Sequence, residues 1–193
     1  FRHVSIERSE FAVSKDGMKM FGLLEVNSEY EGVRFAIGLR NANDKSMRLG
    51  MVAGYRVFVC DNMALSGAFK PLQAKHTKNL DLIESVSMGI DRIQRNWQPL
   101  REAIDFKRKH ELSDDEVRIR LYRLFSEGKF PISLFKPVYN ELWEPSENED
   151  LQPNTLWTLE NALTSAVKQL KPVAQFEQTA RIGKFISNQL QLP

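Results

Sequence analysis

The chain is poor in the residues that carry metal and redox chemistry. It has one cysteine, Cys60, and three histidines among 193 residues. A single cysteine excludes an intramolecular disulfide and indicates a reducing compartment, so a cytoplasmic location is expected. His3, His76 and His110 show no spacing typical of ligands to one ion, and neither an HExxH pattern nor a cysteine pair is present. The sequence therefore predicts no metal site and no cofactor.

Long apolar runs and the common nucleotide-binding motifs are also missing. No stretch approaches the roughly 18 consecutive apolar residues of a membrane span, so a soluble protein without a membrane partner is expected. There is no Walker A pattern, GxGxxG fingerprint or GxSxG elbow. An enzyme is therefore less favoured than a binding protein.

Charge is nearly balanced, with a formal net charge of +2. Its distribution is uneven, because residues 1–80 hold 12 Lys/Arg against 8 Asp/Glu and the remainder is net acidic. A net charge this small does not indicate nucleic acid by itself. The excess of basic residues nevertheless lies in the half of the chain that is predicted to form strands.

The first half shows the period-2 pattern of β-strands. Phe11 and Val13 alternate with polar residues, and Asp16-Gly17 is typical of a type I′ hairpin turn with two positive-φ residues. A return strand over 18–26, a strand over 33–39 and a largely apolar strand over 49–60 follow. We expect an α+β fold with an antiparallel three-to-four-stranded sheet, then a long helix and a helical C-terminal half.

The second half changes to helical spacing. Apolar residues from Ile83 to Ile104 recur with a 3.5-residue period, which predicts one long helix that Pro99 should kink or divide. Ser113 to Glu116 forms a capping box at the start of the next helix. We expect a sheet with the long helix over 1–112 and a helical subdomain over 113–193, packed as one unit.

Three arginines are predicted to share one face of the sheet. Arg34 and Arg40 alternate with Ala36 and Gly38, and Arg56 lies beside a glycine on the neighbouring strand. Small neighbours would let a phosphate backbone approach closely, where guanidinium groups can contact its oxygens. Alternatively, helices cover both faces and the arginines pair with acidic side chains.

The polar connection between these two strands is the second part of the predicted site. Loops held by rigid strands often carry binding residues, although Asn, Asp and Ser can also merely satisfy turn backbone. Lys75 and His76, before the long helix, offer a further anion contact. The predicted nucleic-acid contacts are Arg34, Arg40, Asn41, Asn43, Asp44, Lys45, Arg48, Arg56, Lys75 and His76.

Two other functions remain open. The first is an enzyme whose site is built from the polar loop and its surroundings: Asn41, Asp44, Lys45, Asp61, Asn62 and His76. In it, Lys45 or His76 would transfer a proton and Asp44 would orient or activate that group. The acidic stretch with Glu147, Glu149 and Asp150 could instead bind a host factor. The first of these requires the six side chains to converge in one pocket.

Several separated segments resemble one uncharacterised family. They are the run from Ile37 to Ser46, the run Gly54-Tyr55-Arg56-Val57-Phe58-Val59-Cys60-Asp61-Asn62, Ser66-Gly67, Lys75-His76-Thr77, and Thr155-Leu156-Trp157 with Asn161, Ala162 and Thr164. Together they resemble the family catalogued as domain of unknown function 932. The charged Glu160 before Asn161 departs from the family's pattern.

The resemblance implies a phage, prophage or plasmid setting, and it brings no assigned catalytic residue or cofactor. Separately, three antiparallel strands followed by a long helix is similar in topology to single-strand annealing recombinases, an analogy that does not fix function. We therefore expect a protein that binds single-stranded DNA in phage or plasmid DNA metabolism and recombination, with self-association into an oligomer.

Overall fold

The computed structural model describes residues 5–58, 62–65, 72–75, 81–95, 97–144 and 154–189. These form an antiparallel sheet followed by helices, which confirms the α+β class. The strands are β1 (Ile6–Val13), β2 (Lys19–Tyr30), β3 (Val33–Ala42), β4 (Leu49–Val57), β5 (Met63–Leu65) and β6 (Leu72–Ala74). They pair in the order β1-β2-β3-β4-β5, with β6 also pairing β4.

The sheet is larger than the three to four strands expected. β5 and β6 have three residues each, and so short a segment shows no readable alternation. The first hairpin also differs in its turn. Gly17 alone of the expected pair has a positive φ (71°), while the Asp16 carboxylate accepts hydrogen bonds from the Ser14 hydroxyl and from the Met18 N–H at 3.1 Å.

Seven helical segments were found in the described ranges. They are α1 (Leu82–Arg95), α2 (Gln98–Lys109), α3 (Asp114–Ser126), a 3₁₀ turn (Ile132–Leu134), α4 (Phe135–Trp143), α5 (Leu156–Val167) and α6 (Pro172–Gln189). The long apolar seam is indeed divided, because Pro99 lies in the first turn of α2, where its missing N–H costs little. None of these helices is long and apolar enough to cross a bilayer.

Helices cover both faces of the sheet. On one face, Phe35, Ile37, Met51 and Tyr55 pack with α1, α2 and Trp157 of α5 in one core cluster. A second cluster joins α3, α4, α5 and α6. Every described side chain of α5 is buried except Ser165, which is half-buried, so this helix links the two clusters.

The other face of the sheet lies against α6, and we call it the α6 face. Strand alternation and register place Arg34, Ala36, Gly38 and Arg40 of β3 there, opposite Arg56, Gly54, Val52 and Gly50 of β4. The Phe176 ring of α6 packs against Phe21 of β2, with ring centroids 4.7 Å apart. This contact fixes the helix across the small residues of the sheet.

Candidate nucleic-acid interface

Cations concentrate at one end of the sheet. The turn between β1 and β2 and the loop between β3 and β4 meet there, since Asn43 N–H donates to Met18 O at 2.8 Å. Ala74 of β6 pairs with Leu49, which brings Lys75 beside Arg48. We call this group the basic end; its cations are Lys15, Lys19, Arg40, Lys45, Arg48 and Lys75. Only Asp16 and Asp44 offset them within these described segments.

Helix α6 adds two more cations beside Arg40. Arg181 and Lys184, one turn apart and exposed, line a cleft between α6 and the sheet together with Arg40. The cleft has a volume of about 350 Å³, and its apolar wall includes Val52 and Phe176. We call it the α6 cleft. It places an apolar surface directly beside three cations.

The cations of the α6 cleft are not neutralised by neighbouring acids. Among the described residues, Arg40, Arg181 and Lys184 form no ion pair, and Glu177 is the single carboxylate that lines the cleft. Arg40 lies across Gly50, where an added Cβ would be 2.9 Å from the Arg40 Nε. The missing side chain at position 50 therefore makes room for the guanidinium group.

The cationic surface continues along α6. A second cleft, of about 440 Å³, is lined by Arg181, Lys184 and Lys129 beside Gly128. Of these three cations, Lys129 forms an ion pair with Glu127. Because the two clefts share Arg181 and Lys184, cations run from Arg40 across α6 to the C-terminal end of α3.

The polar loop is a tight turn with outward-facing cations. Ser46 N–H and hydroxyl hydrogen-bond Asp44, the backbone bond being 2.9 Å long, and these bonds hold the pKa of the Asp44 carboxyl below its usual range. Lys45 adopts a positive φ of 61° and is exposed. Asp44 thus stabilises the turn, while Lys45, Arg48 and the exposed Asn43 remain accessible. Asn41 alternates to the face opposite Arg40.

Two of the three predicted arginines are neutralised, and the expectation of an open three-arginine surface is wrong. The register does align them, since Arg34 pairs with Arg56 across β3 and β4. Arg34, however, contacts Glu7 at 2.6 Å and Glu29 at 2.9 Å, and hydrogen bonding to Glu29 raises its pKa.

Arg56 is more deeply enclosed. Its Nε lies 2.7 Å from the buried Glu25, and its NH2 group lies 3.1 Å from Glu10. The Arg34 guanidinium also lies over the Phe58 ring, with its central carbon 5.0 Å from the ring centroid. Of the three predicted arginines, Arg40 alone is accessible and has no ion-pair partner among the residues that the structure describes.

The described members of the enzyme set do not converge. Asn62 is buried, and its amide donates to the Asn161 carbonyl of α5 at 3.2 Å. Its backbone oxygen accepts from Val57 at the far end of β4, whereas Arg40, next to Asn41, pairs with Gly50. Seven residues of strand separate those positions, about 23 Å at 3.3 Å per residue. Asp61, His76 and the acidic stretch over 145–153 lie outside the described residues.

A buried polar network went unpredicted. Lys107 Nζ of α2 lies 2.8 and 2.7 Å from the two carboxylate oxygens of Glu160 in α5, and the Tyr55 hydroxyl donates to the same carboxylate. Burial and the Glu160 charge raise the pKa of Tyr55 well above its usual value. The network ties the sheet to both helices, and it is enclosed rather than open to a substrate.

The residues that carry the family resemblance also meet at this junction. The Tyr55 and Trp157 rings stack with centroids 5.5 Å apart, and Asn62 contacts Asn161. Thr155 caps α5 by accepting from Thr158 N–H. These contacts give the motif residues a structural part in joining β4 to α5.

No protein-family model, curated protein or solved structure matches the chain. The resemblance to domain of unknown function 932 therefore rests on the quoted motifs alone. Among the described residues, no cluster of three or more His, Cys, Asp or Glu side chains could hold a metal ion.

Proposed function

We propose that this protein binds single-stranded nucleic acid along the basic end of the sheet and the adjoining face of α6. One observation carries the proposal: Arg40, Arg181 and Lys184 converge on the α6 cleft without ion-pair partners in the described part of the chain. Unpaired cations around a concave surface attract phosphate, because neutralising it releases condensed counterions.

The contact set differs from that expected from sequence. Arg40, Lys45, Arg48 and Lys75 remain in it as accessible cations, and Arg181 and Lys184 join it. Arg34 and Arg56 leave it, because their glutamate partners would have to be displaced before a phosphate could bind. His76 stays a prediction from sequence.

A single strand suits the surface better than a duplex. Proteins that bind single strands without sequence preference combine a cationic groove with aromatic side chains on which bases stack. The α6 cleft offers both, since Phe176 lines it beside the cations. The proposal includes a phage or plasmid setting, which the family resemblance implies. It also includes strand annealing and oligomer formation, which the topological similarity to annealing recombinases suggests.

Salt dependence of binding tests the proposal. Anisotropy of a labelled oligodeoxythymidine, titrated with protein between about 50 and 200 mM salt, should give a linear plot of log K against log salt concentration. Each phosphate contact to a single strand contributes about −0.7 to the slope, so Arg181→Gln and Lys184→Gln together should reduce its magnitude by about 1.4.

The matched control is Lys109→Gln, an exposed cation at the C-terminal end of α2 and outside the α6 cleft. It removes one charge, as each α6 substitution does singly with an expected change of about 0.7, and it should leave the slope unchanged. Binding without a salt slope, or equal losses in the control and the α6 variants, would refute the proposed interface. Duplex of the same length should bind more weakly; stronger duplex binding would overturn the single-strand assignment.

A further inference from the structure

The α6 cleft is more than a patch of positive charge, because its inner wall is apolar. It is lined by the buried Phe21 and Leu65 of the sheet and by Phe176 and Ala180 of α6. Phosphate contacts alone do not require such a wall. An apolar recess of about 350 Å³ falls within the ~300–1,000 Å³ range of pockets for small organic ligands.

Two glycines let the side chains that line the recess pack closely on the sheet. At Gly38, an added Cβ would lie 2.9 Å from Val52 Cγ1, 3.0 Å from Leu65 Cδ2 and 3.4 Å from the Phe176 ring. At Gly50, it would press on Arg40. The glycines therefore let Phe176 and Arg40 lie close against the sheet, so that the apolar wall and the cations border the same recess.

We propose that the α6 cleft binds one nucleotide unit, with the base against Phe176 and Val52 and the phosphate held by Arg40, Arg181 and Lys184. This inference rests on the proposed nucleic-acid function and names its ligand. A base supplies a flat, largely apolar body, and the aromatic wall can stack on it. The cations line the same cleft as the wall, so base and phosphate are recognised together.

Polar groups in the cleft can hydrogen-bond the base edge. Gln73 of β6 offers an amide donor and acceptor, and Glu177 of α6 offers a carboxylate acceptor. A carboxylate accepts from exocyclic amino groups and repels carbonyl oxygens. Bases that carry an amino group are therefore preferred over thymine.

The decisive comparison uses the unmodified protein and two oligonucleotides of equal length and charge. One is oligodeoxycytidine, and the other has the same backbone with abasic residues throughout. Loss of base stacking should weaken binding of the abasic strand at least about fivefold, from a stacking contribution of ~1 kcal/mol or more per base. The salt slope should be the same for both, because the phosphate contacts are unchanged.

A cleft-filling variant locates the effect. Ala180→Leu places bulk against the apolar wall and should abolish the difference between the two strands while preserving the salt slope. Deoxycytidine monophosphate should compete with the labelled strand at lower concentration than inorganic phosphate, which would assign the site to a nucleotide unit rather than to phosphate alone. Equal competition by the two would refute the inference.

The outcomes separate the two proposals. If neither strand binds with a salt slope, the nucleic-acid function fails. If both strands bind equally and show the same slope, the function stands and the nucleotide cleft is wrong. If the strand difference persists undiminished in folded Ala180→Leu, the base is bound elsewhere and the inference is again overturned.

Discussion

Lys107 and Glu160 form a buried ion pair in which the lysine Nζ lies 2.7 Å from the nearer carboxylate oxygen. Lys107 is 5% exposed and Glu160 is 1% exposed. A charge removed from water needs a partner at this range, because the alternative is an uncompensated charge in the interior. The pair thereby makes the position of α2 depend on that of α5.

Removing one partner should therefore destabilise the fold strongly. Lys107→Met leaves the Glu160 carboxylate without its cation and is expected to lower the free energy of unfolding by about 3–5 kcal/mol. Urea denaturation followed by far-UV circular dichroism measures the loss. In a Glu160→Gln background the same substitution should cost less, since no charge is stranded. Strictly additive effects in this double-mutant cycle would contradict the coupling.

The tyrosine of the same network should give an alkaline pH dependence. Its pKa is raised in the folded state by burial and by Glu160, with Arg108 opposing the shift and Lys107 in contact at 3.0 Å. The unfolded chain releases this proton near pH ~10, and the folded chain releases it at a higher pH. The unfolded state then binds fewer protons, so stability falls as the pH rises above about 10.

We expect wild type to lose up to about 1.4 kcal/mol more per pH unit than Tyr55→Phe above that point. Urea midpoints measured at several pH values from neutral to alkaline provide the comparison. Tyr30, whose pKa is raised by its hydrogen bond to Asp105, is present in both proteins, so its contribution cancels in the difference between the two pH profiles. Tyr122→Phe, at an exposed position, is the matched control. Parallel pH profiles for wild type and Tyr55→Phe would contradict the assignment.

This network shows what could have been read from sequence. Lys107 follows Ile104 by three residues and so continues the apolar seam that begins at Ile83. Glu160 likewise lies on the apolar side of α5, four residues after Leu156 and three before Leu163. A cation and an acid at two otherwise apolar positions were a readable signal for a buried pair. Their pairing was not readable, because it depends on how α2 packs against α5.

The fold class and the strand faces follow from local periodicity, and they were predicted correctly. The position of the candidate site depends on long-range packing. Arg40 was a predicted contact because strand alternation places it on a face with small residues. Arg181 and Lys184 were not among the predicted contacts, because they lie on α6, which is far from β3 in sequence and packs against that face. Glu25 and Glu10, which neutralise Arg56, come from strands whose register sequence alone does not fix.

Two glycines of β4 should respond differently to the same substitution. A Cβ at Gly54 would lie 2.4 Å from the backbone oxygen of Ala64, whereas at Gly50 it would meet the flexible side chain of Arg40. Gly54→Ala must shift β5, and we expect a loss of about 1–3 kcal/mol in unfolding free energy. Gly50→Ala should cost less in urea denaturation because Arg40 can move. Equal costs would contradict the close approach of β5 to β4.

Arg34 and Arg40 provide the sharpest test of the revised interface. They lie six residues apart on one strand and on the same face, yet Arg34 is held by Glu7 and Glu29 while Arg40 is unpaired within the described chain. Arg40→Gln should reduce the magnitude of the salt slope for single-stranded DNA by about 0.7, the value for one phosphate contact. Arg34→Gln removes an identical charge and should leave that slope unchanged.

Both slopes come from anisotropy titrations at several salt concentrations, on variants whose urea midpoints establish that they are folded. Equal reductions in the two variants would mean that nucleic acid displaces the glutamates, and the interface would then extend along the whole α6 face.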